Sequence, residues 1–466
     1  MRNKILIFIF TALIAPAAFA DQSKISDQVI PLQTANFPER PAPILELGDP
    51  FFKTGEIRKG YLLPTGAVWQ PTLMIWGDFR TALQTIDGNL DKSGQRLTES
   101  ASRFDLFGNL SLTSTERILI GFRPLDQQGR FTNYTFESPK SDQEHHFNNE
   151  ANFDFTTLFF EGDFGEIFPF LDPKDKYGLD FGLAVGRQQI SWQDGMLIND
   201  RIDSIGISKI NLKPSWAVNA RSTLLYAWNE LNRKNLAFDD SKSSLFGLSN
   251  EIDFKETTAD FDFVYIDGGE TTGDGLYGGM GFTQRISNFN STFRLLGSHA
   301  VGNETDHNQD GALFFSELSK DLKGSGDYVY IDGFWGIDKY RSASRAPEFG
   351  GPLGGTGVLF ASLGLGRYGA PLNNQPDNAL GSAMGYQIFF NQRRQHILLE
   401  LGGRYAVEDI GQRAVATGIS FQTAVGRRHI LRFDTYTRYG KNRIDTKTEE
   451  DQALGFGARV EWQVRL

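Results

Sequence analysis

The constraint that most narrows the fold is a strict alternation of apolar and polar residues, repeated along the chain. Residues 458–466 read ARVEWQVRL: Ala458, Val460, Trp462, Val464 and Leu466 share one face of an extended strand, while Arg459, Glu461, Gln463 and Arg465 share the other. DFDFVYI sets Phe261, Phe263 and Tyr265 against Asp260 and Asp262, and HILLELGGRY sets Ile397, Leu399, Leu401 and Tyr405 against His396, Glu400 and Arg404. FDLFGNLSL, LDFGLAV, VNARSTLLYAW, FNSTFRLLGSHAV and ILRFDTYTRY do the same. Period two marks strands, because successive side chains leave a strand on opposite faces. The alternating segments run to about ten residues or more. Strands of soluble sandwiches have a mode of about 5–6 residues, whereas a tilted strand needs about ten to cross hydrocarbon.

A strand in lipid must have every backbone N–H paired, so a set of such strands has to close into a barrel. The spacing predicts an all-β fold: a transmembrane antiparallel β-barrel of about 18 strands, with 16 as the competing count because 204–212 and 356–366 read weakly. The last strand is expected to pair with the first, near 72–86, so that no edge remains. Aromatics support a membrane wall: 39 Phe, 14 Tyr and 7 Trp sit in a chain of negative mean hydropathy. Trp69, Trp76, Trp228, Trp335, Tyr436, Tyr439 and Trp462 fall near strand ends, where girdles meet headgroups. ARVEWQVRL also resembles the C-terminal signal read by the barrel assembly machinery of the bacterial outer membrane, although that signal usually ends in Phe and this chain has Leu466.

The other end is of a different kind. MRNK, ILIFIFTALIA and then Ala18-Phe19-Ala20 read as a secretory signal peptide over 1–20, cleaved near Ala20. An exported chain with strands of this length is expected in the outer membrane, against lipid and lipopolysaccharide. The formal net charge of −10 argues against nucleic acid as a partner. With no cysteine there are no disulfides, no thiol chemistry and no lipidated N-terminal cysteine. Residues 21–70, rich in Pro and Gly, read as an irregular periplasmic or lumen-facing lead-in, and 71–466 as the barrel. Tight connections at 113–116, 391–394 and 426–428, against long polar ones at 87–101, 125–150, 230–251 and 440–451, give the short-rim and long-rim pattern of outer-membrane barrels. The stretch 340–381, dense in Gly and Pro with Arg341, Arg345, Arg367 and Tyr368, is costly to order without a task. It reads as an inward constriction loop, or as a surface loop with one strand at 356–366.

The stretch LAVGRQQISWQDGMLINDRIDSIGI, residues 183–207, led into by FFEGDFGEIFPFLDPKDKYGLDFG at 159–182, resembles the alginate-export family of outer-membrane barrels. The resemblance implies a pore lined by a Gly-Arg-Gln strand and a Trp-Gln-Asp loop. That would make Arg187, with Gln188 and Asp194, pore-lining; the alternative is that Arg187 ends a strand and pairs with a nearby acid. Parity and loop position add Arg221, Arg294, Arg345, Arg367 and Arg404 as substrate- or pore-lining cations, amid acids such as Asp78, Asp105, Glu400 and Asp434. Mixed charges of this kind set a transverse field, and they equally suit a bracing ladder of ion pairs.

DHNQDGALFFSE carries calcium-loop spacing at Asp306, Asn308, Asp310, Gly311 and Glu317. No helix precedes it, so an acid-rich turn competes with a calcium site at Asp306, Asn308 and Asp310; no other cofactor is expected. None of the six histidines falls in a nucleophile motif and no phosphate-cradling loop occurs, so an enzyme is not expected. The sequence leads to a channel for passive diffusion or export of hydrophilic solutes, with an anionic oligo- or polysaccharide such as alginate as one cargo. A surface-binding or adhesin barrel with a closed lumen, and a hydrolase active at the rim, are the competing readings.

Overall fold

The computed structural model describes residues 41–48, 60–87, 96–174, 176–233, 243–269, 271–322, 324–443 and 453–466. The expected signal peptide and much of the lead-in lie outside these residues. Eighteen strands form the wall: β1 (Thr72–Asp87), β2 (Arg96–Ser111), β3 (Arg117–Phe122), β4 (Phe155–Asp163), β5 (Phe181–Trp192), β6 (Ile198–Leu212), β7 (Asn219–Asn229), β8 (Ser244–Asp253), β9 (Thr257–Asp267), β10 (Asp274–Ile286), β11 (Phe289–Val301), β12 (Gly311–Asp321), β13 (Tyr328–Asp338), β14 (Ala379–Phe390), β15 (Gln395–Ala406), β16 (Gly411–Val425), β17 (His429–Arg443) and β18 (Ala453–Arg465). Each is antiparallel to the next, and β18 returns to β1 with Trp462 opposite Thr81 and Val460 opposite Leu83. The seam continues to Leu466, which exchanges backbone hydrogen bonds of 3.0 and 2.8 Å with Gly77.

The alternation sorts side chains as a transmembrane barrel requires. Phe246, Leu248, Phe263, Leu295, Phe314, Trp335, Leu401, Ile419 and Val460 stand exposed on the outside, where acyl chains rather than water would cover them. Asp105, Asp262, Arg294, Glu400, Asp434 and Arg459 are buried on the inside. Tyr436 belongs to the inner set and packs on Tyr368, so it is not a girdle residue as its place in the sequence suggested. Short turns such as 391–394 and 426–428 gather on one rim, and the long connections 123–154 and 339–378 on the other. The described part of the lead-in extends the short-turn rim, with Leu45–Leu47 pairing against Leu73, Met74 and Ile75. Of the two doubtful strands, 204–212 lies within β6. The other, 356–366, holds no strand; Gly357, Gly364 and Gly366 take positive φ there and break any ladder.

Two elements leave the wall on the long-loop side and fold inward. Pairing of β5 with β4 stops at Arg187, and pairing of β6 with β7 stops at Asp203. Residues 188–202 stay paired with one another as a hairpin. The hairpin leans across the lumen until the Trp192 ring lies over Gly247 of β8, where a Cβ would come within 2.6 Å of it. Only glycine leaves room for that approach. The segment 339–378 follows the hairpin inside. A single apolar cluster joins Leu197, Ile198 and Ile202 of the hairpin to Leu353, Leu359, Phe360 and Leu372 of the segment and to Leu245, Val264, Leu296 and Leu313 of the wall. The protein's main hydrophobic core therefore lies inside the barrel.

Candidate lumen constriction

The segment 339–378 is fixed to the inner wall by polar contacts around much of the circumference. Its hub is Glu348, in a one-turn 3-10 helix (Pro347–Phe349) and buried. Arg123, just beyond β3, donates to Glu348 Oε1 at 2.7 Å, and Arg201 of the hairpin donates to the same oxygen. Burial pushes the Glu348 carboxyl up, but the charges of Arg201, Arg123 and Arg103 outweigh burial and hold it far below the usual carboxylate range. Arg123 in turn donates to Asp105 at 2.5 Å, and Arg103 grips Asp105 at 2.7 and 3.0 Å.

Further along, the guanidinium of Arg367 donates to Glu99 at 2.7 Å and to Thr135 Oγ1 at 2.6 Å. The backbone N–H groups of Val358 and Leu359 donate to Glu400 Oε2, each at 2.7 Å, and the Tyr330 hydroxyl donates to Oε1. Gln412 accepts from Asn373 N and donates to Pro371 O. Arg80 donates to Leu363 O at 3.1 Å and Arg103 to Gly364 O at 3.0 Å. The hairpin and the segment are also joined to each other. Ser344 donates to the buried Asp200 at 2.6 Å, Ala343 N donates to Leu197 O, and a short parallel bridge pairs Ile198 with Ser344 and Asn199 with Arg345.

Of the residues singled out in the sequence, Asp194, Arg294, Arg345, Arg367 and Arg404 meet in this assembly. Arg294 reaches across to Asp194 at 2.8 Å and to Asp260 at 2.6 Å. Arg345 is held by carbonyl oxygens, Gly350 O at 2.7 Å, Phe349 O at 2.9 Å and Gly195 O. Burial pulls its guanidinium down to about 10, against the opposing influence of Tyr340, Asp200 and Glu348, so it remains charged at neutral pH. Arg404 donates to Asn373 O at 3.0 Å and lies over the Phe334 ring. Gln188 faces inward and donates to Ser204 Oγ. Arg221 lies on the inner face nearer the short-turn rim, paired with Glu251 at 2.7 Å and half exposed.

Arg187 departs from the pore-lining role that the motif implied. It shares the outward parity of Phe181 and Val185 and is bound to Asp203 at 2.8 and 2.9 Å and to Glu230 at 3.0 Å. The pairing with a nearby acid therefore describes it. The calcium-loop residues do not converge either. Asn308 is buried, accepting from the Tyr277 hydroxyl at 3.1 Å and donating to Asp274 O. Asp310 accepts from Ala300 N and contacts His299, Asp306 is exposed, and Glu317 lies within strand β12. Among the described residues no group of three acids or histidines is placed to hold a metal. What reading the sequence missed is Glu348 and the inward lean of 188–202. The available signal was a lone carboxylate, Glu348, in a run holding Arg341 and Arg345.

Fold and site together define a closed 18-strand antiparallel transmembrane β-barrel, with a hairpin and a long segment packed in its lumen. No family model matches the sequence, and no curated protein matches it. Among solved structures the chain is similar to Pseudomonas aeruginosa OccK7 (OpdD), at 9% identity over 84% of this chain and 98% of that one, with a TM-score of 0.53. It is likewise similar to Pseudomonas aeruginosa OccK11 (OpdR), at 11% identity over 84% and 96% of the two chains, with a TM-score of 0.50. At such identities the likeness is one of fold.

Proposed function

We propose that this chain is an outer-membrane channel through which hydrophilic solutes pass by passive diffusion, and that 339–378 and the hairpin 188–202 set its bore. The observation that carries the reading is the stitching of 339–378 to the inner faces of β1, β2, β13, β15 and β16 through Arg80, Arg103, Glu99, Tyr330, Glu400, Arg404 and Gln412. A polar wall contacted at so many points fixes the loop in place, which is what a size- and charge-selective constriction needs. The inner face carries both signs as ion pairs, among them Arg80 with Glu461, Arg103 with Asp105, Arg294 with Asp260, Arg221 with Glu251 and Arg459 with Asp434. A lumen lined by such pairs favours polar solutes over apolar ones, and an anionic sugar-acid polymer is one cargo compatible with it. Alginate is one such polymer.

A closed-lumen binder is the second reading, and the apolar cluster inside the barrel favours it, since Leu197, Ile202, Leu359 and Phe360 are almost fully buried there. Planar-bilayer recording decides between them. The channel reading expects discrete conductance steps from the purified full-length chain and faster liposome swelling with small hydrophilic sugars. A silent bilayer at high protein load overturns it in favour of the binder.

A further inference from the structure

Trp76 of β1 and Phe107 of β2 stand opposite one another in the strand register. Trp76 has the parity of Arg80 and Gln84, which bond to the lumen segment, and Phe107 has that of Arg103 and Asp105. Both rings therefore point into the lumen, and Trp76 is not the girdle residue that its place near a strand end suggested. They stack with centroids 5.6 Å apart and planes 24° from parallel. Gly121, the next residue across on β3, makes room for Phe107, since a Cβ there would lie 2.9 Å from the ring. Along the inner face only Asp78 and Asp105 separate the stack from Arg80 and Arg103, which hold Leu363 and Gly364 of the segment. The stack thus lies just beneath the constriction, on the short-turn side. Both rings stay partly exposed, and apolar surface left open on a charged wall marks a place where a ligand docks. Acceptor oxygens flank the stack along both strands. Asp78 takes Gln463 Nε2 on Oδ2 at 2.5 Å, and Asn109 Nδ2 donates to Ser111 Oγ at 2.9 Å. Asp78 Oδ1 and Asn109 Oδ1 accept no hydrogen bond. The neighbouring cations are engaged, Arg80 with Glu461 and Arg103 with Asp105.

The face of an aromatic ring is negative and attracts the C–H groups of a pyranose. Oxygens without a donor call for hydroxyl protons; a carboxylate, which only accepts, leaves them unsatisfied. Apolar surface with a few placed polar groups is the composition of a small-molecule site. We infer that the Trp76–Phe107 stack, with Asp78 and Asn109 beside it, is a binding station for a neutral pyranose unit of a saccharide. The inference rests on the channel reading and names a solute class for it: a sugar chain that meets this stack as it enters or leaves the constriction.

The test is calorimetric titration of the full-length chain with maltotriose, cellotriose and xylotriose, in a polyoxyethylene detergent whose head group is not a sugar. Saturable heat is expected with at least one of them. Binding should weaken roughly tenfold in Trp76→Ala and in Phe107→Ala, and stay within about twofold in Trp76→Tyr. The outward-facing Trp335→Ala should bind as the parent does. Because Trp76→Tyr keeps a ring in place, it separates loss of stacking from loss of the fold. Trigalacturonate, a uronate of the same length, should bind more weakly than the best neutral sugar. Three results would overturn the inference: no saturable heat with any neutral trisaccharide, heat that both alanine variants retain in full, or tighter binding of trigalacturonate. Channel conductance is measured independently. A conducting barrel with no saccharide heat refutes the station alone, and a silent barrel that binds saccharide refutes the channel alone.

Discussion

The carboxylate of Glu348 and the guanidinium of Arg123 meet at 2.7 Å across 225 residues of chain, joining the lumen segment to the wall beyond β3. Both side chains are buried, and Arg201 shares the same carboxylate oxygen. Removing the Glu348 charge takes from Arg201 the carboxylate it binds and leaves Arg123 with Asp105 and Asp126 alone, and breaking a buried pair in this way costs about 3–5 kcal/mol. Glu348→Gln should therefore lower the unfolding midpoint of the detergent-solubilised protein and make single-channel current noisier, because Arg123 and Arg201 would be left without their shared partner. Equal stability and quiet current in the variant would show that the cluster does not hold the segment.

Acid should leave this cluster intact across the mild range. The folded-state pKa of Glu348 is depressed, so its stabilising contribution is fully present above its unfolded value of roughly 4.3. That contribution disappears only as pH falls through the much lower folded value. Conductance recorded between neutral pH and about pH 5 should show no transition that depends on Glu348. A step in that window that Glu348→Gln abolishes would contradict the assignment.

Excising 346–376 and bridging the ends with a short Gly-Ser linker removes Glu348, Leu353, Leu359, Phe360, Arg367 and Leu372 together while sparing β13 and β14. The strand ladder is closed without these residues, so the barrel should still assemble. Single-channel conductance is then expected to rise several-fold. An assembled variant that conducts as the parent does would place the constriction elsewhere.

How much of this was legible in the sequence follows from the range of each interaction. Wall strands announce themselves through period two, since each residue's face is fixed by its immediate neighbours. The β1–β18 seam was readable for the same reason. Faces stayed open where position along the strand mattered: Arg187 has the outward parity of Val185, while its place in the Gly-Arg-Gln motif implied the lumen and left pairing with a nearby acid as the alternative. Tyr436 failed, an aromatic near a strand end that is turned inward onto Tyr368. The inward hairpin was illegible because its cause is distant, a missing side chain at Gly247 beneath Trp192. Glu348 could not be ranked above other acids, since its partners Arg123 and Arg201 are separated from it by 225 and 147 residues.

That distant cause makes its own prediction. A Cβ at Gly247 would lie 2.6 and 2.8 Å from two carbons of the Trp192 ring, and the ring has no flexible end to yield. Gly247→Val should displace the hairpin at a cost of about 1–3 kcal/mol, the range for overpacking. Trp192 would become more exposed, so the tryptophan emission of the variant should shift to longer wavelength, and the shift should vanish when Trp192→Phe is added. An unshifted spectrum would mean that the hairpin does not rest on β8.

Ion selectivity separates the lumen arginines from the one outside. Arg294 is buried on the inner face, its guanidinium held between Asp194 and Asp260. In Arg294→Gln those two acids lose their counter-charge, and the lumen should become more cation-selective, read as a shift in reversal potential across a salt gradient. Arg187 is bound to Asp203 and Glu230 on the outward face, where its charge is separated from the lumen by the wall. Arg187→Gln should leave the reversal potential unchanged and cost at most about 1 kcal/mol of stability, the scale of a pair that solvent still reaches. The opposite ranking, with Arg187 controlling selectivity and Arg294 silent, would restore the pore-lining role that the Gly-Arg-Gln motif implied and reverse the assignment of faces along β5.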